Sequence, residues 1–175
     1  SLNLAYDGTV ALILPETVLA VGDYAFYGLK FNSVGLNNAK TIGNYSFYNN
    51  KFTRINAGNV TSVGDYAFYG TPATTLATGN LQYIGNYAFA NATNLFSISM
   101  GDIKRIGDYA FDNTPNVAKV YMNSTNTIEA NGQENIDLEV GTKALFNSWG
   151  NYVDGRLRVY VPDGTTIHGT TYLSL

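Results

Sequence analysis

The chain has 175 residues, a formal net charge of −3 and only 13% charged residues. This weakly acidic balance excludes the clustered basic surface that nucleic-acid binding needs. The absence of cysteine excludes a disulfide framework and a thiolate metal site. Aromatic residues make up 14% of the chain, which provides enough apolar surface for a folded core. Because no run of about 18 apolar residues occurs, we expect no membrane insertion.

A six-residue motif recurs along most of the chain, with Val or Ile first, Gly second, Tyr fourth and Phe last. Its phenylalanines recur every 21 residues, and once after 22. The five copies are Val21–Phe26, Ile42–Phe47, Val63–Phe68, Ile84–Phe89 and Ile106–Phe111. A fixed period of this length is typical of solenoids, in which each repeat forms one coil stacked on the next.

Each coil is predicted to contain two short strands and one turn. An alternating apolar pair such as Ile55 and Ala57 has the period of a half-buried strand. A second apolar segment, such as Val60 to Val63, leads into the next motif. The motif itself is predicted to form one helical or 3₁₀ turn, capped by an Asp or Asn oxygen at its third position. These predicted caps are Asp23, Asn44, Asp65, Asn86 and Asp108.

Two further patterns constrain the backbone and the charge of the coils. Only Gly or Asn stands two residues after each phenylalanine, which predicts a left-handed backbone there. These positions are Gly28, Asn49, Gly70, Asn91 and Asn113. Asp and Asn alternate at the predicted cap, which keeps the charged residues about 10 Å apart when coils lie about 5 Å apart.

The motif, together with the apolar segment that ends in Leu14–Pro15, resembles the BspA-like (Treponema pallidum-type) bacterial leucine-rich repeats. The resemblance covers residues 9–122 and returns at 138–162. It implies a mostly β, leucine-rich-repeat-like solenoid with a right-handed superhelix and coils of about 21 residues. We expect one domain over 1–175, with regular repeats at 9–122, an irregular loop at 123–137, and a degenerate last repeat and cap at 138–175.

The same resemblance implies a non-catalytic binding or adhesion module that is secreted or attached to a bacterial cell surface. Such a module would present an extended surface to a host or neighbouring-cell protein or glycan. Two alternatives stay open: an architectural spacer, and an accessory repeat region of a larger secreted enzyme. We expect a monomer, or weak end-to-end stacking through exposed solenoid ends.

The sequence offers no candidate catalytic, cofactor-binding or metal-binding residues. His168 is the only histidine, and one histidine without partners builds neither a His-based metal site nor a catalytic triad. Ser46 replaces the usual Ala of the motif, which predicts a buried packing position and not a nucleophile. We therefore expect no enzymatic activity, no cofactor and no metal.

The first candidate binding face consists of the outward residues of the predicted strands. Repeat arrays commonly use such an extended sheet for recognition, and exposed Tyr and Arg are enriched at binding hot spots. An ordinary solvated surface is the alternative. The candidate ligand-binding residues are Arg54, Asn56, Thr75, Ser97, Ser99, Lys119, Tyr121, Arg158 and Tyr160.

The second candidate face is a pair of tyrosine columns along the motifs. The longer column is Tyr24, Tyr45, Tyr66, Tyr87 and Tyr109, and the shorter one is Tyr27, Tyr48 and Tyr69. Packing of each ring on the same ring of the next coil explains this repetition without a ligand. We therefore favour packing for the tyrosines and expect a partner on the strand face, toward its C-terminal end.

Overall fold

The computed structural model describes residues 11–101 and 103–122, together with short strands at 128–129, 139–140, 158–160 and 167–168. These residues form a parallel β-solenoid of about five turns, and no helix occurs among them. The strands are β1 (Ala11–Ile13), β2 (Ala20–Val21), β3 (Ser33–Gly35), β4 (Thr41–Ile42), β5 (Arg54–Asn56), β6 (Ser62–Val63), β7 (Thr75–Ala77), β8 (Tyr83–Ile84), β9 (Ser97–Met100), β10 (Arg105–Ile106), β11 (Lys119–Met122), β12 (Ile128–Glu129), β13 (Glu139–Val140), β14 (Arg158–Tyr160) and β15 (Ile167–His168).

Two parallel sheets run along the solenoid, and each regular coil contributes one strand to each sheet. The five-stranded sheet has the order β14-β11-β9-β7-β5, and the six-stranded sheet has the order β13-β10-β8-β6-β4-β2. β1 of the first coil pairs with β3 of the second, and β12 pairs with β15. The prediction of a repeat solenoid with two short strands per coil is confirmed. Most of the predicted loop and cap lies outside the described residues.

The core lies between the two sheets and the motifs, as the apolar periodicity predicts. In the five-stranded sheet, the second residue of β5, β7, β9 and β11 is buried, as Ile55 and Ile98 show. In the six-stranded sheet, the second residue of β2, β4, β6, β8 and β10 is buried, as Val63 and Ile106 show. The motif phenylalanines fill the third side, and Phe68 is fully buried. These columns form one continuous apolar cluster.

The motif forms hydrogen-bonded turns and not the predicted helical or 3₁₀ turn. Tyr66 has φ of 55°, a left-handed value that the other motif tyrosines share. The Tyr66 and Phe68 amides donate to carbonyls of the next coil, at 2.9 Å to Asn86 and 2.8 Å to Ala88. In a helix these N–H groups would donate to carbonyls of the same segment. Because they donate to the next coil, the motif is not helical. The predicted left-handed positions are confirmed, as at Gly70, where φ is 69°.

The Asp or Asn at the third motif position joins neighbouring coils. Its side-chain oxygen does accept a backbone N–H bond, but the donor belongs to the next coil and not to its own turn. The Asp65 amide donates to Asn44 Oδ1 at 2.8 Å, and the Asn86 amide donates to Asp65 Oδ1 at 2.7 Å. Because Asn and Asp offer the same acceptor oxygen, alternation preserves the bond while reducing the charge along the column.

The motif glycine is required by close contact between coils. A Cβ placed on Gly85 would lie 2.5 Å from the Asp65 amide nitrogen and 2.5 Å from the Gly64 carbonyl carbon. Both are backbone atoms, so neither can move aside cheaply. Gly22 belongs to the first motif, and a Cβ there would meet nothing within 4 Å. The glycine is thus needed only where another motif lies beneath it.

We expect Gly85→Ala to destabilise the protein by about 3 kcal/mol or more, because the added methyl group forces two coils apart. The matched variant Gly22→Ala has open space, and its free energy of unfolding should change by less than about 0.5 kcal/mol. Any entropy effect on the unfolded chain is common to both variants. Urea unfolding measures the difference, and equal midpoints would contradict the steric explanation.

We also expect Phe68→Ala to cost about 3–5 kcal/mol, because it leaves a cavity in the core. Tyr66→Ala should cost much less, because the Tyr66 ring is only half-buried and its loss opens a gap at the surface. Chemical unfolding of both variants checks this order. Small and equal shifts in the two midpoints would refute the assignment of Phe68 to the core.

Candidate functional site

The outward residues of the five-stranded sheet form two continuous columns, which we call the strand face. Parallel register places the residues of each column directly beside one another. The first column is Arg54, Thr75, Ser97, Lys119 and Arg158, and the second is Asn56, Ala77, Ser99, Tyr121 and Tyr160. All nine candidate ligand-binding residues lie in these columns. Their role in binding stays a prediction.

The strand face changes character along the solenoid. Arg54 is exposed at one end, and the middle rung consists of the half-buried Ser97 and Ser99. The next rung carries the exposed Lys119 and the half-buried Tyr121. The larger side chains therefore follow a flat segment of small ones. For Arg158 and Tyr160 only the strand pairing is described.

Phe96 adds an exposed aromatic ring beside the strand face, and the sequence analysis missed it. The side chain is 48% exposed, and Lys119 Nζ lies 5.9 Å from its ring centroid, within cation–π range. Phe96 continues a column of Thr53 and Thr74, which backbone hydrogen bonds between coils define. A single phenylalanine at a position held by threonine in the two preceding coils is the signal that could have revealed it.

The six-stranded sheet presents a second outward column. Its register places Ala20, Thr41, Ser62, Tyr83, Arg105 and Glu139 beside one another. Tyr83 is 45% exposed and lies between Ser62 and Arg105. Because Tyr83 is an exposed tyrosine on the other sheet, its substitution is a matched control for substitutions on the strand face.

The described residues contain no group of three or more His, Cys, Asp or Glu side chains suited to a metal ion. In the same part of the chain, no helix is long and apolar enough to cross a membrane. Ser46 is fully buried, which confirms its prediction as a packing position, and its Oγ has no hydrogen-bond partner in the structure. The side chain of His168 lies outside the described residues.

The tyrosine columns are stacked ring on ring, which confirms the packing interpretation. Tyr45 and Tyr66 have centroids 4.7 Å apart with an interplanar angle of 8°, and Tyr66 and Tyr87 have centroids 4.8 Å apart with an angle of 10°. The rings of the shorter column stack in the same way, and the ring centroids of Tyr48 and Tyr69 are 4.9 Å apart. Because neighbouring rings cover both faces of an inner ring, a stacking ligand could reach only ring edges there.

Burial within the columns also raises the pKa of three of these phenols. Burial raises the pKa of Tyr66 above its ordinary value, and the neighbouring phenols of Tyr45 and Tyr87 raise it further. Burial is again the largest cause of the raised pKa of Tyr48 and of Tyr87. The charged phenolate is disfavoured because it loses water and would face other phenolates.

We therefore expect the protein to lose stability in alkali. In the unfolded chain tyrosine ionises near pH 10. Because the folded pKa values are higher, this stability is fully present below about pH 10 and is lost as the pH rises through the folded values. Melting temperatures across this range measure the effect. The variant Tyr48→Phe/Tyr66→Phe/Tyr87→Phe removes the three phenols with raised pKa, keeps the stacking and should lose less stability. An unchanged loss would contradict the explanation, and Tyr83→Phe is the control.

A family model described as the BspA type leucine rich repeat region matches residues 19–136 in six copies. A search of curated proteins and a search of solved structures gave no significant match. Repeats of this family form interaction modules that are generally non-catalytic, and proteins of the family are commonly surface-bound or secreted in bacteria. The matched region includes the five regular motifs and both tyrosine columns, and the chain belongs to the BspA type leucine-rich-repeat family.

Proposed function

We propose that the chain is a non-catalytic adhesion module that binds an acidic host protein or glycan through the C-terminal half of its strand face. The observation that carries this proposal is the cluster of Lys119, Tyr121 and Phe96 on one side of the solenoid. Lys119 and Tyr121 share a strand, and the Lys119 ammonium group lies over the Phe96 ring. Membership in a family of interaction modules supports the same conclusion.

Charge favours an acidic partner. The two columns of the strand face contain Arg54, Lys119 and Arg158 but no Asp or Glu. The chain as a whole is negative, at −3, so the sign of the charge on these columns is opposite to that of the whole chain. Such local complementarity increases the association rate and selects the partner more than it adds affinity.

The aromatic residues favour this half of the face over the serine rung. Tyrosine and phenylalanine offer large contact areas with few rotatable bonds, so binding costs little side-chain entropy. Ser97 and Ser99 offer hydrogen bonds but little area to bury. Phe96 is exposed and Tyr121 is half-buried, and Lys119 connects them because it shares a strand with Tyr121 and contacts the Phe96 ring. Aromatic residues of this kind are enriched at interfaces.

Secretion and attachment to a bacterial surface are part of the proposal. The family is commonly found in such places, and a face without acidic residues suits recognition of acidic host surfaces. The proposal assigns no reaction to the chain.

The test is binding of purified protein to immobilised host matrix proteins and to a glycan array. We expect Tyr121→Ala and Phe96→Ala to bind at least about tenfold more weakly than the wild type, because each removes a central aromatic contact. Ser97→Ala should bind almost as well as the wild type. The affinity should also fall as salt rises, because the basic residues are exposed.

Tyr83→Ala is the matched control, since it removes an exposed tyrosine from the opposite sheet. Wild-type affinity in folded Tyr121→Ala and Phe96→Ala, with weak binding by Tyr83→Ala, would place the partner on the six-stranded sheet. A protein that binds neither matrix proteins nor glycans would favour the spacer over the adhesion module.

A further inference from the structure

Both tyrosine columns hold their phenol rings parallel and close together. In the longer column the centroid distances run from 4.7 to 5.0 Å and the interplanar angles from 1° to 10°. In the shorter column the distances are 4.9 and 5.0 Å. In a phenoxyl radical the unpaired electron occupies p orbitals perpendicular to the ring. In parallel rings these orbitals point along the column toward the neighbouring ring, which is the approach required for bond formation.

The rings are accessible to a small oxidant from outside. Tyr24 is 58% and Tyr27 is 49% exposed, and the inner members of both columns are half-buried. The chain has no cysteine, so no thiol competes for oxidising equivalents. Close pairs of accessible phenols are thus a prominent oxidisable feature of the described surface.

We propose that the tyrosine columns are an oxidative cross-linking site, in which dityrosine bonds join successive coils. A haem peroxidase with hydrogen peroxide would remove one electron and one proton from each of two stacked phenols, and the peroxide would be reduced to two water molecules. The two radicals then form a carbon–carbon bond between their ortho positions. Each ortho carbon loses its proton and each ring oxygen regains one, so both rings recover their aromaticity and their hydroxyl groups.

Such a bond would act on stability as a disulfide does. It joins residues 21 or 22 positions apart, as between Tyr45 and Tyr66 or between Tyr87 and Tyr109, and closes a covalent loop of one coil. Closing a loop reduces the conformational entropy of the unfolded chain. Each coil contacts mainly its neighbours, so bonds between consecutive coils would oppose the local opening by which solenoids unfold.

The test is oxidation of dilute wild-type protein by horseradish peroxidase and hydrogen peroxide. We expect a monomer with dityrosine fluorescence that has lost two hydrogen masses for each bond. Mass spectrometry of its peptides should show links between adjacent members of one column. The oxidised monomer should melt at a higher temperature than the untreated protein.

The decisive variant is Tyr45→Phe/Tyr48→Phe/Tyr87→Phe, which leaves no two adjacent tyrosines in either column. Phenylalanine preserves the stacking, so the variant should fold, and its yield of dityrosine in the monomer should fall several-fold. It retains two tilted pairs between the columns, Tyr24 with Tyr27 at 5.9 Å and Tyr66 with Tyr69 at 5.6 Å between centroids. An undiminished yield would therefore overturn coupling within columns.

Tyr83→Phe is the matched control, because the register neighbours of Tyr83 are Ser62 and Arg105 and not tyrosines. This variant should keep the wild-type yield. Dityrosine confined to covalent dimers, or links found mainly between tyrosines outside the columns, would overturn the proposal. These outcomes do not depend on whether the strand face binds a partner.

Discussion

The close approach of successive coils at the motif glycine is the constraint on which the rest of the structure depends. At Gly85 the backbone of the preceding motif occupies the space that a side chain would need. The same contact lets Asp65 Oδ1 accept the amide N–H of Asn86, so each motif is bonded to the next through both backbone and side chain. The regular spacing of the coils follows from this contact, because any larger residue at the glycine would separate them.

The aromatic columns are a consequence of that spacing. When identical turns repeat at the spacing of parallel strands, a ring at one position must meet the same ring of the next coil. The rings of Phe68 and Phe89 stack inside at 5.4 Å, and those of Tyr66 and Tyr87 stack outside at 4.8 Å. Tyrosine at a left-handed φ costs about 1 kcal/mol or more. The tyrosines tolerate this cost because each ring stacks on its neighbour in the column, and the inner rings of Tyr45, Tyr66 and Tyr87 stack on both sides.

Much of this architecture could be predicted from the sequence because, in a repeat, the spacing of residues along the chain determines which residues lie beside one another in neighbouring coils. The period defined the coils, and the Gly or Asn pattern predicted the left-handed residue at Gly70. The partner of Asp65 could not be predicted, because a capping oxygen has the same residue type whether its donor lies in its own turn or in the next coil. Phe96 was missed for a related reason, since only the register shows that it borders Lys119.

The motif and strand positions of one coil are constrained differently, and this difference is why we propose that recognition occurs on the strands. At the motif, the glycine meets backbone, the phenylalanine fills the core, and the tyrosine stacks on its neighbours, so few substitutions are compatible with stacking. The outward strand positions are not enclosed by backbone or core, and they hold residues as different as Arg54, Ser97 and Tyr121. A solenoid can therefore change what its strand face presents while its motifs keep the coils in register. A binding module needs a surface whose residues can vary without disturbing the fold, and the strand face is such a surface.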